Sequence, residues 1–165
     1  MQKYVVSALL LVAFVSLVAL VVRVWLAKRT EQEKLFAEPS APLENTGRTF
    51  DGFYVATTVS GQPLNRVSAF GLAHRGRAAF SIGSTGVSIE RQGERSFSIA
   101  KAVISAVSLV QGTIDRVVES EGLIAITWKL GSTEVETSLR IVDRAARAEF
   151  YSELQGLVSK ENAND

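Results

Sequence analysis

GLIAITWKLGSTEVETSLRIVDRAARAEFYSELQGLV, residues 122–158, changes its periodicity partway along, and that change decides the architecture. Residues 123–130 and 134–141 are rich in β-branched and aromatic side chains, and Gly131-Ser132-Thr133 joins them as a turn, so the pair reads as a hairpin. From Asp143 onward Ala146, Phe150, Leu154, Leu157 and Val158 recur at spacings of three and four. That is the apolar stripe of an amphipathic helix, with Asp143 as its N-cap. Such a helix has to bury its stripe, and the partner on offer is a sheet.

The chain ahead of this hairpin supplies that sheet. Two-residue alternation begins at Phe53 and runs to Val59, ending at the turn Ser60-Gly61-Gln62-Pro63. Residues 66–73 and 77–82 read as further strands around His74-Arg75-Gly76, followed by 87–91, 96–99 and 104–110, with glycine turns between. Seven or eight short strands and one terminal helix predict a mainly β fold, an antiparallel β-barrel of about seven strands closed by a C-terminal α-helix.

At the other end stands YVVSALLLVAFVSLVALVV, residues 4–22, without one charge. At about 1.5 Å per residue it covers roughly 28 Å, close to the roughly 30 Å hydrocarbon core of a bilayer. A cleaved signal peptide would have a shorter apolar core and a small-x-small site. Here the run is followed by Arg23, Trp25, Lys28 and Arg29, which suits an uncleaved anchor with Arg23 and Trp25 at the interface. Only Lys3 precedes the span, whereas Arg23, Lys28, Arg29 and Lys34 follow it, so the C-terminal bulk is expected in the cytoplasm, on a single-pass inner (plasma) membrane protein.

The expected organisation is an anchor helix with its juxtamembrane extension at 1–36, a flexible Pro- and Ser-containing linker at 37–50, a β domain with its helix at 51–159, and a disordered polar tail at 160–165. A formal net charge of +1 leaves no electrostatic footprint for nucleic acid. With no cysteine, disulfides, thiolate metal sites and cysteine nucleophiles are excluded. No GxSxG, P-loop, HExxH or Rossmann glycine pattern occurs, and one histidine cannot build a multi-histidine metal site. Gly83-Ser84-Thr85-Gly86 has the letters of a KH clamp but strand-like flanks, so it reads as a hairpin. Asp115, Glu119, Glu121 and Asp143 lack the spacing of a calcium loop.

The segments DGFYVATTVSGQPLNRV (51–67), GLAHRGRA (71–78), GVSIERQG (86–93) and GTIDRVVESEGLIAITWKLG (112–131) carry a resemblance. Over about two thirds of its length the chain resembles bacterial single-span membrane proteins with a pleckstrin-homology-like (PH-like) domain. The resemblance implies a small, partly open barrel closed by the terminal helix. Some members carry loose labels such as membrane, export or transporter protein. Eukaryotic lipid-binding relatives hold inositol phosphates with basic residues on the first hairpin, but residues 53–73 here contain only Arg66, and their helical tryptophan has no counterpart between Asp143 and Ser159.

The expected function is accordingly a non-enzymatic, membrane-anchored binding or scaffold module that engages a protein partner, without cofactor, metal or nucleic acid. The alternatives are a sensor of anionic lipid at the inner leaflet, or an accessory subunit of a membrane or export complex. The residues expected to bind are Arg66, His74, Arg75 and Arg77, whose guanidiniums and imidazole suit an anionic group. Arg91 and Arg95, flanked by Glu90 and Glu94, are expected to be offset by those acids.

Overall fold

The structure is a computed structural model that describes residues 2–43, 47–110 and 122–159. Asp115, Glu119, Glu121 and the polar tail 160–165 therefore lie outside the described residues. Helix α1 spans Gln2–Leu35 and contains Leu9–Ala27, a stretch long and apolar enough to cross a membrane, as a signal sequence also is.

Eight antiparallel strands follow: β1 (Thr49–Val59), β2 (Gln62–Arg66), β3 (Gly76–Gly83), β4 (Gly86–Arg91), β5 (Phe97–Ala100), β6 (Ile104–Val110), β7 (Leu123–Leu130) and β8 (Thr133–Arg140). Helix α2, Arg144–Ser159, ends the described chain. The sheet runs β5-β4-β3-β1-β8-β7-β6, with β2 paired to β1. Its two edges, β5 and β6, are successive in the chain and separated only by the 3-10 turn Lys101–Val103. A link of this length reaches no more than about 14 Å, so the sheet has to be strongly rolled to bring its edges together. No ladder joins β5 to β6, however, and the sheet is not closed. The mainly β fold with its C-terminal helix is as expected, and its sheet has eight strands and stays open rather than closing into a barrel.

Side chains fill the roll. The rings of Phe97 on β5 and Trp128 on β7 stack across the open seam with centroids 6.3 Å apart. Phe150 of α2 meets Phe50 edge-on at 5.2 Å and Phe80 at 5.9 Å. With Leu154, which is also fully buried, it forms the stripe that fastens the helix to the sheet. Burying each such side chain contributes about 2 to 3 kcal/mol. The cap is as expected, since Asp143 Oδ1 accepts from the Ala146 backbone N–H at 2.7 Å.

One strand was misplaced by the pattern. Residues 66–73 do not form a strand: β2 covers Gln62–Arg66 and the chain then turns through a 3-10 segment, Ala69–Gly71. Phe70 and Gly71 there have φ of +54° and +70°. Pro63, expected in a turn, lies within β2, where an edge strand tolerates the missing N–H.

The stretch after α1 is seated on the domain. Glu38 pairs with Arg95, and the Ser98 N–H donates to the Ser40 carbonyl at 2.9 Å. Ser98 Oγ donates to the Ala41 carbonyl at 2.6 Å. Ala37 lies against the turn between β7 and β8, where a Cβ on Gly131 would come within 3.1 Å of its own.

Candidate functional site

Parity along β4 puts Val87, Ile89 and Arg91 on one face, and that face is the interior. Arg91 is therefore buried, at 6% exposure, between two aromatic rings. Its Cζ lies 4.9 Å from the Tyr54 centroid and 5.3 Å from that of Phe97. Its N–H groups reach main-chain carbonyls rather than a carboxylate: Nη1 donates to Gly71 O at 2.9 Å, Nε to Arg95 O at 2.8 Å, and Nη2 also to Arg95 O. Ring faces and carbonyl dipoles thus replace the hydration lost on burial.

Beside it runs a chain of buried hydrogen bonds. Trp128 Nε1 donates to Thr137 Oγ1 at 2.8 Å, Thr137 and Thr57 hydroxyls are 2.8 Å apart, and Thr57 and Tyr54 hydroxyls are 2.7 Å apart. Tyr54 Oη donates to the Leu72 carbonyl at 2.6 Å. An indole N–H only donates and a carbonyl only accepts, so every hydroxyl between them has a fixed direction. The order is Trp128 to Thr137 to Thr57 to Tyr54 to Leu72. Burial pushes the Tyr54 pKa far above its ordinary value, against the lowering effects of Thr57 and the Arg91 charge. Burial also lowers the Arg91 pKa, opposed by the charges of Tyr54 and Glu94.

Both systems end on the loop before β3. Arg91 holds Gly71 and Tyr54 holds Leu72, while His74 Nδ1 donates to Glu94 Oε1 at 2.9 Å. Gly71 has a φ of +70°, which favours glycine, and a Cβ there would stand 2.8 Å from Glu94 Oε2, a side-chain end that would have to move aside. The loop is a fixed part of the domain.

The expected binding residues separate into two groups. Arg66 pairs with Thr58 on β1, whereas Arg77 pairs with Phe53, about 17 Å away at strand spacing. His74 is engaged by Glu94. Arg75 lies over the Phe53 ring at 5.9 Å, and Arg77 lines an open groove of about 1280 Å³ on the outer face of β1, β3 and β4. Arg75 and Arg77 thus share a surface that excludes Arg66. The residue that sequence reasoning missed is Arg91, although its parity with Val87 and Ile89 was visible.

Among the described residues no group of three or more His, Asp or Glu side chains converges as a metal site would. A rolled antiparallel sheet capped by a C-terminal helix, with its polar groups spent on holding loops, defines a PH-like β module. The chain belongs to the family described as bacterial PH domain-like, whose model matches residues 32–155. Domains of this class are in general binding or scaffold modules. No curated protein matches the chain.

Proposed function

We propose that this protein is a single-span, membrane-anchored and non-enzymatic scaffold whose domain faces the cytoplasm and binds a protein partner by strand addition to β6. The free edge of β6 carries this reading. β6 pairs only with β7 among the described residues, and its sequence ISAVSLV has neither charge nor proline. Natural edge strands are usually blunted by such residues. Ser105, Ala106 and Ser108 are exposed along it. An extended peptide would gain main-chain hydrogen bonds there, with side-chain pockets supplying selectivity.

The anionic-lipid alternative has its own support at the other end of β1. Leu64, 78% exposed, and Arg66 stand on β2, whose hairpin lies beside the β7–β8 turn, because the Ser60 N–H bonds the Glu134 carbonyl. Ala37 leaves α1 at that turn, so an apolar tip and a cation share the end that α1 would place nearest a bilayer. A role as accessory subunit of a membrane or export complex is a finer form of the scaffold reading.

A photoactivatable residue introduced at Ser108 or at Leu64 in full-length protein in native membranes separates the two. A discrete protein adduct from position 108 that disappears in A106K supports strand addition. Adducts confined to lipid from position 64 would overturn it in favour of the lipid sensor. Protease protection in inverted and right-side-out vesicles tests the orientation, and cleavage only in right-side-out vesicles would refute the cytoplasmic placement.

A further inference from the structure

The outer face of β1, β3 and β8 carries a second surface, separate from the β6 edge. We infer that it is a docking groove for an acidic segment of a partner protein built around one apolar residue. Register sets Arg77, Phe53 and Arg140 directly opposite one another on adjacent strands. Two guanidinium-bearing side chains thus flank one half-buried ring at Cα spacings of about 5 Å. Arg75 supplies a third, over the Phe53 ring at 5.9 Å.

The groove of about 1280 Å³ opens beside them, bounded by Arg77, Arg144 and Val142. Val142 is 63% exposed, and it and Leu64 are the large apolar side chains exposed outside α1 among the described residues. Apolar and aromatic centres ringed by arginine are the composition of protein-binding patches.

Charge selects the occupant. Arg48 pairs with Glu149, Arg95 with Glu38 and His74 with Glu94, whereas among the described residues no ion pair involves Arg75, Arg77, Arg140 or Arg144. Asp51 and Glu90 lie one row further along, either side of Ala79, and the Asp143 carboxylate caps α2. The strip is therefore basic at the Phe53 row and acidic at the Ala79 row. Carboxylates of the occupant belong over the arginines, which match them bidentately, with its apolar residue between Phe53 and Val142.

Position favours a protein over a bilayer. Ala37 follows α1 at the β7–β8 turn, and Arg140 lies at the far end of β8, about 24 Å along the strand from Thr133. With α1 in a membrane, the arginines stand at the end of β8 away from the junction with α1.

The test selects a random dodecapeptide library on phage against the full chain in nanodiscs of neutral lipid. Enriched peptides are expected to be net acidic around an apolar residue, and to lose affinity at least tenfold on R77E combined with R140E and severalfold on R77K combined with R140K. V142D, at an exposed position, provides the same loss should the double variant fail to fold. Neutral or basic winners, affinity indifferent to these changes, no enrichment over empty nanodiscs, or displacement of the peptides by anionic vesicles would each overturn the inference.

Discussion

The two edges of the sheet are treated differently. β5 is short, and the chain covers it with its own residues 38–41, through the Ser40 carbonyl, the Ala41 carbonyl and the Glu38–Arg95 pair. Its inner face is held by Phe97 against Arg91 and Trp128. β6 is nearly twice as long and uncharged, and although α2 packs against it, no main chain among the described residues closes its outer edge as residues 38–41 close that of β5. An edge that a protein closes with its own main chain is spent on stability, whereas an edge left open is available for pairing.

The sharpest way to break this comparison is R91A. It leaves the Gly71 and Arg95 carbonyls without their donor and opens a cavity between two rings, an expected cost of about 3 kcal/mol or more. Hydrogen exchange should accelerate at β5 and residues 69–75 well before β6 and β7; uniform acceleration would mean that the two edges share one fate. T137V comes next, since it removes the partner of both Trp128 and Thr57, and a loss of about 2 kcal/mol in denaturant unfolding is expected.

Alkaline pH gives a smaller and reversible effect. The Tyr54 pKa is raised in the folded state, so its contribution is complete below the ordinary tyrosine value of 10.0 and is lost as pH rises beyond it. The unfolded chain releases that proton first, and stability should fall by up to about 1.4 kcal/mol per pH unit. Y54F should flatten that slope, and an unchanged slope would show that Tyr54 ionises without penalty.

The smallest stability effects compare the edges directly. S98A should cost about 1 kcal/mol through the lost bond to Ala41, whereas A106K with S108K should stay within about 0.5 kcal/mol while abolishing contact at β6. Equal costs for both would mean that the fold depends on β6 no less than on β5.

Much of the fold was legible because local pattern and tertiary burial agree there. Residues 104–110, 123–130 and 134–141 show strand composition, and Asp143 precedes a regular apolar stripe. Residues 66–73 misled because Val67, Ala69 and Gly71 are buried with a period of two, as in a strand, while Phe70 and Gly71 bend the chain. That bend is held from afar by Arg91 and Tyr54, and no local window contains them. Residues 37–43 have the composition of a linker, yet their bonds go to Ser98 and Arg95. At the candidate site, Arg75 and Arg77 were visible as loop and strand cations. Arg140 was not, because only the register of β1 with β8 brings it to Phe53.

The clasp on β5 also has a timetable. Ala41 and Ser98 are separated by 57 positions in the chain. At roughly 5 to 20 residues per second of synthesis, Ser98 follows Ala41 by about 3 to 11 seconds. During that interval the stretch behind α1 has no β5 to close upon. The clasp is thus assembled seconds after α1 has been made, and the junction between helix and domain acquires its final geometry only once β5 has followed it.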